Sequence, residues 1–250
     1  PKGIETHMGG HSGNVSIDLR KLGLKKGDVS SVGAVGEDAF GDFLEALLSS
    51  YGVITHLQRV PGIPTSKDLI LVVSGEDRRF HVDVGANWHL SPEYVISVLD
   101  EEEPLIFYAG GVGFTGKFDE RLAETLQRAK KLGCLTFIDP LTPYQHQWNF
   151  IIPSIKWADV FHCNKDEAEK ITGIQNPKKA AKDLIKKGTQ LVIISLGDKG
   201  LIAATKRTLV EMSAFEVPVV DPTGAGDALC AGVIRSLLRT MEYNRSELSE

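Results

Sequence analysis

Cysteine is scarce in this chain, and the three cysteines, at positions 134, 163 and 230, lie far apart. None of them forms the Cys-x-x-Cys spacing of zinc and thiol-redox motifs, and each has apolar neighbours. This pattern argues against a disulfide framework and predicts buried thiols. Since free thiols persist in reducing compartments, it also indicates a cytoplasmic protein.

Long apolar runs and an excess of positive charge are missing as well. No segment approaches the roughly 20 apolar residues of a membrane-spanning helix, and the N-terminal residues lack the apolar core of a signal peptide. The 28 Lys and Arg residues are outnumbered by 33 Asp and Glu residues, which gives a net charge of −5. We therefore expect neither a membrane nor a nucleic acid as a partner, and any phosphate must be bound locally.

Strand and helix patterns alternate through most of the 250 residues. This order predicts a mostly parallel sheet covered by helices on both faces, in a single α/β domain at residues 1–250. The predicted strands cover residues 29–35, 105–108, 135–138, 160–162 and 191–196, and the predicted helices among them cover 120–132, 166–172 and 177–187.

Residues 56–87 have a different, β-type character. Residues 68–74 are largely apolar, Gly75-Glu76-Asp77 is a turn signal, and apolar and polar residues alternate from residue 79 to 84. The pattern predicts an antiparallel hairpin with one apolar and one polar face. It fits either a hairpin at the edge of the main sheet or a separate flap.

A glycine-rich turn near the end of the chain carries the strongest chemical signal. A β-branched run at residues 217–220 leads into Asp221-Pro222-Thr223-Gly224-Ala225-Gly226-Asp227, and apolar residues at helical spacing follow. Such a turn can approach a ligand closely, and the unpaired N–H groups of the helix start attract an anion. A carboxylate there would repel a phosphate, so Asp227 is expected to accept a proton, unless it is only an acid favoured by the helix dipole.

The whole string from residue 219 to 228 resembles the signature of the ribokinase-like carbohydrate kinases, the pfkB family. The resemblance implies that Asp227 is the catalytic base and that the backbone amides of Gly224, Ala225, Gly226 and Asp227 form an anion hole. It also implies a three-layer α/β/α ribokinase-like fold with a small β lid, formed mainly by residues 56–87.

A second glycine motif lies near the start of the chain, where Gly9-Gly10 precedes a helical pattern that includes Asn14. On its own this is a loop with Asn14 near a helix cap. In the family, a Gly-Gly-x-x-x-Asn motif at this place binds sugar hydroxyls, which implies that role for Gly10 and Asn14. Position 11 is His, whereas Lys is frequent there in kinases of phosphorylated sugars, and this difference favours an unphosphorylated substrate.

Asn164 and Glu167 have the spacing of an ordinary capping box. The pair is also similar to the family's Asn-x-x-Glu motif, which organises Mg²⁺ and the ATP phosphates. The resemblance therefore implies that Asn164 and Glu167 bind the nucleotide and that Glu167 acts with Asp139 at the metal, since hard cations prefer oxygen ligands. The Pro-Leu-Thr-Pro that follows Asp139 departs from the sequence of many relatives.

Ser195-Leu196-Gly197-Asp198-Lys199-Gly200 follows a predicted strand and reads as a β-turn. It also resembles a Gly-x-x-Gly turn that lies beside the nucleotide in the family. This resemblance implies that Ser195, Gly197 and Gly200 contact ATP.

Residues 111–117, Gly-Val-Gly-Phe-Thr-Gly-Lys, match two nucleotide-binding patterns only formally. For a Rossmann turn the third glycine would lie ahead of the helix, because Asp119 is predicted to cap that helix. For a P-loop, Phe118 occupies the position of the Ser or Thr that reaches Mg²⁺. A plain loop between a strand and a helix is the better interpretation.

Taken together, the resemblance implies an ATP-dependent phosphotransferase that acts on a hydroxyl of a sugar or polyol. It would use ATP and Mg²⁺, with a monovalent cation near the anion hole as a further cofactor to test, and it would allow a homodimer through the lid. The parts of the family fold before residue 9 and after the glycine-rich turn are expected to be shortened. A nucleoside kinase with stacking aromatic residues such as Phe80 or Trp88, and a non-catalytic binding protein of the same fold, remain open.

Overall fold

The structure is a computed structural model that describes residues 3, 5–71, 79–218 and 222–247, with the side chains of residues 80 and 242–247 outside the description. The helices are α1 (His11–Lys21), α2 (Ala39–Ser50), α3 (Pro92–Glu102), α4 (Lys117–Glu120), α5 (Leu122–Lys131), α6 (Ile152–Ile155), α7 (Lys165–Thr172), α8 (Pro177–Lys186) and α9 (Ala225–Glu247). The strands are β1 (Ser30–Gly36), β2 (Ile54–Val60), β3 (Lys67–Leu71), β4 (Arg79–Asp83), β5 (Ile106–Val112), β6 (Leu135–Pro140), β7 (Val160–Asn164), β8 (Leu191–Ser195), β9 (Leu201–Ala204) and β10 (Leu209–Met212).

The main sheet has six strands in the order β10-β9-β8-β7-β6-β5. Strands β5 to β8 are parallel to one another, whereas β9 and β10 continue the sheet in antiparallel fashion. The four predicted strands from residue 105 onward are therefore confirmed. Because parallel strands point the same way, the carboxyl ends of β5 to β8 meet at one edge of the sheet, where α/β proteins bind ligands.

Helices cover both faces of this sheet, as the neighbours Phe137 and Ile138 on β6 illustrate. Both side chains are fully buried, but Phe137 packs with residues of α1 and α9, while Ile138 packs with residues of α5, α7 and α8. Successive side chains of a strand point to opposite faces, so each face has its own helical layer. The predicted three-layer α/β/α architecture is confirmed.

The helices pack against the sheet through apolar faces, as α8 illustrates. Helix α8 buries its apolar residues at helical spacing, in the pairs Ala180–Ala181 and Leu184–Ile185, while its lysines lie outside. Asn176 caps its start by accepting a hydrogen bond from the amide of Lys179. All three cysteines are free and buried, which confirms the prediction of buried thiols.

Strand β2 pairs in parallel with β1 in a separate two-stranded sheet, with Val32 opposite His56. The flap is therefore shorter than predicted, because residues 54–60 belong to this sheet and only β3 and β4 form the antiparallel hairpin. The predicted turn at residues 75–77 lies outside the described residues. Ile70 and Val82, which lie on the expected apolar face, are 40% and 42% exposed, so this part of the face is largely uncovered by the described residues.

The end of the chain also differs in part from expectation. Of the predicted strand at residues 217–220, Val217 and Pro218 are irregular, and residues 219–221 lie outside the described residues. The helix predicted after the glycine-rich turn is present as α9 and packs against α1. Within the described ranges, every helix is too short or too polar to cross a membrane.

Candidate active site

A cavity of about 240 Å³ opens at the carboxyl edge of the parallel strands. It collects residues from α1, from the ends of β6, β7 and β8, and from the start of α7 and α9. The residues that line it are His11, Asp139, Pro140, Leu141, His162, Asn164, Glu167, Ser195 and Gly226. Asp139, Asn164, Glu167, Ser195 and Gly226 are among the site residues predicted from sequence.

Asp227 lies in the first turn of α9, directly after the glycine-rich turn. Gly224 has φ 81°, a conformation that favours glycine, and its carbonyl accepts the amide of Ala228 at 2.9 Å. The amides of the intervening residues belong to the helix start, where backbone donors have no partner within the helix. The Ala225 amide donates to the Pro222 carbonyl at 3.2 Å, and the anion hole at this turn stays a prediction.

The carboxylate of Asp227 is only 8% exposed. Burial raises its pKa above the ordinary value, while the charge of His11 and a hydrogen bond from Asn14 oppose this effect. One oxygen, Oδ2, accepts that hydrogen bond from Asn14 Nδ2 at 2.8 Å. The other, Oδ1, is buried and has no hydrogen-bond partner among the described residues. A buried carboxylate with a raised pKa and a free oxygen is suited to accept a proton.

Asn14 is not the helix cap that the sequence left open. Helix α1 begins after Gly10, whose φ is 91°, and no side chain caps it. Asn14 lies one turn into the helix, where its amide donates to the Gly10 carbonyl at 3.0 Å. Its side chain is thereby free to hold Asp227, which is 213 residues away in sequence.

Asp139, at the end of β6, is the centre of a buried hydrogen-bond network. Its Oδ1 bonds His162 Nδ1 at 2.7 Å, and its Oδ2 accepts hydrogen bonds from the Tyr108 hydroxyl at 2.7 Å and from the Cys230 thiol at 3.4 Å. Burial would raise the pKa of Asp139, but the hydrogen bond and charge of His162 and the charge of His11 lower it below the ordinary value. Asp139 is therefore held as a carboxylate.

His11 lies between the two aspartates of the site. Its Nε2 is 3.8 Å from Asp139 Oδ2 and 3.9 Å from Asp227 Oδ1. These separations exceed a hydrogen bond, so His11 acts on both carboxylates through its charge when it is protonated. The sequence analysis noted His11 only because Lys is frequent at this position in kinases of phosphorylated sugars, and it did not predict the contacts with the two aspartates.

The capping box of α7 is confirmed. Asn164 Oδ1 accepts the amide of Glu167 at 2.9 Å, and Glu167 Oε2 accepts the amide of Asn164 at 2.8 Å. Glu167 is 9% exposed, and burial, together with the charge of Asp139, raises its pKa. A bound divalent cation would lower the pKa of Glu167 again. The carboxylates of Asp139 and Glu167 both line the cavity, and carboxylate oxygens are the ligands that a hard cation prefers.

Of the predicted Ser-x-Gly-x-x-Gly turn, only Ser195 lines the cavity. Gly197 and Gly200 lie beyond the strand end, with φ values of 63° and 92°. The turn is held by the Leu196 amide, which donates to the Gly200 carbonyl at 2.8 Å. A Cβ atom at Gly200 would overlap the carbonyl oxygen of Met212, which is a structural reason for glycine there.

The formal nucleotide motif at residues 111–117 runs from the end of β5 through a connecting loop to the first residue of α4. The prediction that Asp119 caps the following helix is wrong, because the N-cap residues of α4 and α5 are Gly116 and Arg121, and Asp119 is buried inside α4. Its carboxylate accepts the amides of Gly113 and Thr115, each at 2.8 Å. These amides are thus occupied and do not face a phosphate.

Sequence reasoning missed three residues of the network around Asp139, although their spacing carries a signal. His162 lies on β7, two residues before Asn164, and Tyr108 lies on β5. These two strands flank β6, which carries Asp139. Cys230 follows Asp227 by three residues on α9, so both lie on one face of that helix.

Comparison with known proteins identifies relatives of this chain. Residues 1–246 match the family model described as pfkB family carbohydrate kinase. The chain is 25% identical to an ATP-dependent 6-phosphofructokinase of Thermoanaerobacterium thermosaccharolyticum, covering 96% of this chain and 75% of that protein. It is 28% identical to an aminoimidazole riboside kinase of Salmonella typhimurium, covering 97% and 77%. A fructokinase with bound ATP from Xylella fastidiosa has the same fold, with a TM-score of 0.80 at 24% identity and coverage of 92% and 74%.

Proposed function

Because this chain belongs to the pfkB family of carbohydrate kinases, we propose that it transfers a phosphoryl group from ATP to a hydroxyl of a sugar or polyol, with Asp227 as general base. The observation that carries the proposal is the free, buried Oδ1 of Asp227 beside the helix-start amides of α9. A substrate hydroxyl at this oxygen would lose its proton as it attacks the phosphorus.

The anion hole formed by Gly224, Ala225, Gly226 and Asp227 would stabilise negative charge on the transferring group. Each such donor contributes about 10²–10³ in rate, and general-base help contributes about 10²–10⁴. The two effects act on different atoms of the same transition state, so both are needed for efficient transfer.

The nucleotide would lie on the side of the cavity formed by Asn164, Glu167 and Ser195, next to the turn with Gly197 and Gly200. Glu167 and Asp139 are the carboxylates that would hold a metal. Mg²⁺, when bound with ATP, neutralises charge on the phosphates. A monovalent cation near the anion hole is a further cofactor to test by activity in K⁺ and Na⁺ buffers.

The acceptor would lie on the α1 side, where Gly10 and Asn14 would meet its hydroxyls. Position 11 is His where Lys is frequent in kinases of phosphorylated sugars, and this difference supports an unphosphorylated acceptor. One similar protein is nevertheless a 6-phosphofructokinase, so phosphorylated sugars belong in the test.

A nucleoside acceptor is the second candidate, favoured by the similarity to an aminoimidazole riboside kinase. Against it, Trp88 packs face to face with His146, with ring centroids 5.2 Å apart, and edge-on with Tyr144 at 5.4 Å. Trp88 is not among the residues lining the cavity, and the Phe80 side chain lies outside the described residues. A non-catalytic binding protein is less consistent with the buried base at Asp227.

A homodimer through the flap is part of the proposal. The exposed apolar residues of β3 and β4, Leu69, Ile70, Leu71 and Val82, support it, since uncovered apolar area favours association. A cytoplasmic location is supported by the three free, buried cysteines.

The proposal is tested by measuring ADP release from Mg-ATP with a panel of hexoses, pentoses, sugar phosphates, inositols and nucleosides. We expect one sugar or polyol to stimulate ADP release well above the rate without acceptor. A nucleoside as the sole stimulator would establish the second candidate. ATP binding without stimulation by any acceptor would favour the binding protein.

A further inference from the structure

Three side chains that can ligate a metal meet on the α1 side of the cavity, where His11 lies between Asp139 and Asp227. Their donor atoms all lie within 4.8 Å of one another. An imidazole nitrogen with two carboxylate oxygens is a donor set for a transition metal such as Zn²⁺, whereas Mg²⁺ prefers oxygen ligands alone. The nitrogen of His11 therefore distinguishes this group from the proposed Mg²⁺ ligands, Asp139 and Glu167.

The separations between these atoms are close to those of a zinc site. His11 Nε2 is 3.8 Å from Asp139 Oδ2 and 3.9 Å from Asp227 Oδ1. Zinc–ligand distances of about 2.0–2.2 Å place two ligands of a tetrahedral ion about 3.3–3.6 Å apart. The difference is a few tenths of an ångström, which a small rotation of the imidazole would remove. An ion between the three atoms would take water as its fourth ligand.

One of the three donor atoms is unpartnered. The Asp227 side chain is 9% exposed, and its Oδ1 is buried with no hydrogen-bond partner among the described residues. The hydrogen bond from Asn14 to Oδ2, at 2.8 Å, fixes the direction in which Oδ1 points. Buried polar atoms are nearly always paired in native proteins, so Oδ1 indicates that a ligand binds at this point. An acceptor hydroxyl and a metal ion would compete for it.

The charge of the cavity favours a cation. Asp139 and Glu167 are among the residues that line it, and none of the described lining residues is Lys or Arg. The Tyr108 hydroxyl donates to Asp139 Oδ2 at 2.7 Å and keeps this carboxylate in place.

A second group of potential ligands shares Asp139 with the first and consists of Asp139, His162 and Cys230. His162 Nδ1 bonds Asp139 Oδ1 at 2.7 Å, and the Cys230 thiol donates to Asp139 Oδ2 at 3.4 Å. A metal there would have to replace these contacts. The group around His11 is thus the better site.

We propose that His11, Asp227 and Asp139 bind a Zn²⁺ ion, and that this ion blocks the site by occupying Asp227 Oδ1. The binding of zinc stands apart from the proposed function. The inhibition rests on the proposed function, because the blocked atom is the one that would accept the hydroxyl proton.

The binding is tested by isothermal titration of the full chain with zinc chloride in the absence of nucleotide. Loss of an outer-shell partner of a metal site costs about 10–100-fold in affinity, so loss of a ligand should cost at least about tenfold. We expect this weakening in His11→Ala and, independently, in Asp227→Asn. Thermal melts without zinc show whether each variant is folded.

His146→Ala is the matched control. His146 also has a buried Nε2 without a hydrogen-bond partner among the described residues, but it does not line the cavity. We expect this variant to bind zinc as wild type does. Co²⁺ in place of Zn²⁺ separates the two ligand groups, because only a cysteine thiolate gives an intense charge-transfer band in the near ultraviolet. We expect no such band.

The inhibition is tested by ADP release with the acceptor identified by the panel. Zinc should raise KM for the acceptor without lowering kcat, additional Mg-ATP should not relieve the effect, and a zinc-selective chelator should reverse it. Inhibition that acceptor does not relieve would overturn this part of the inference.

Three results would overturn the site itself. Wild type does not bind zinc, or folded His11→Ala and Asp227→Asn both bind zinc as wild type does, or Co²⁺ gives a thiolate band that Cys230→Ser abolishes. If instead zinc binds as expected but no acceptor stimulates ADP release, the proposed function fails and the metal site stands.

Discussion

Replacing Asn14 by Ala should weaken the function of Asp227 as a base while Asp227 itself is unchanged. The side-chain amide of Asn14 is the donor to Asp227 Oδ2, at 2.8 Å, and the other oxygen of that carboxylate has no partner among the described residues. In Asn14→Ala the buried carboxylate loses this stabilising contact. Its charged form becomes less favourable, and its orientation toward the acceptor is no longer fixed.

The size of the effect follows from the kind of hydrogen bond. A hydrogen bond to a charged group contributes about 1.5–3 kcal/mol, and each 1.36 kcal/mol corresponds to about tenfold in rate. We therefore expect kcat/KM to fall by about 10- to 150-fold. The hydrogen bond from Asn14 lowers the pKa of Asp227 against the raising effect of burial, so its loss raises that pKa further. Because a base must be deprotonated, the acid limb of the pH profile should move to higher pH.

The assay is ADP release as a function of pH with the acceptor identified by the panel. Asn176→Ala is the matched control, since Asn176 caps α8 away from the cavity. Losing this cap should cost about 1 kcal/mol of stability with unchanged kcat/KM. If Asn14→Ala keeps kcat/KM within about twofold and its acid limb stays in place, Asn14 does not support the base and the reasoning is refuted.

Two stability predictions concern residues outside the cavity. Gly200→Ala should lower the melting temperature more than Gly133→Ala. Both glycines have positive φ, but only at Gly200 would a Cβ overlap a backbone atom. Equal shifts of the melting temperature in differential scanning fluorimetry would contradict this prediction. Asp159→Asn should cost about 1–3 kcal/mol, since this buried carboxylate accepts hydrogen bonds from the side chains of Lys130 and Gln190. Urea titration measures that loss, and a changed KM for ATP would show that Asp159 also affects the site.

The sequence predicted those parts of the site that depend on local rules. Asp139, Asn164 and Ser195 each follow or end an apolar run, and parallel strands bring such ends to one edge of a sheet. The capping box of α7 could be recognised because its two residues are three apart. The glycine-rich turn is predictable because its strand, its glycines and the start of its helix all lie within a few consecutive residues.

The remaining parts depend on contacts between distant segments. Asn14 and Asp227 come together only because α1 packs against α9, which no periodicity in either helix shows. His162 lies at the end of the strand predicted at residues 160–162, but its bond with Asp139 was not predictable from sequence, because that contact needs the register between β6 and β7. Asp119 was assigned to a helix cap because the rule for caps applies equally to a carboxylate that binds loop amides.

The extent of the flap shows a further limit of local patterns. Residues 54–60 have the composition of a strand, but composition does not say which strand is the partner. Their parallel pairing with β1 places them in a separate sheet, and the hairpin of β3 and β4 stands alone.

The central claim is that Asp227 is the base of a phosphoryl transfer to an alcohol. The most direct test compares acceptor-stimulated ADP release by wild type and by Asp227→Asn, with thermal melts to show that both are folded. We predict that the variant loses about 10²–10⁴ in kcat while it still binds Mg-ATP, because the amide cannot accept the hydroxyl proton. A folded Asp227→Asn protein with a kcat close to that of wild type would contradict the account.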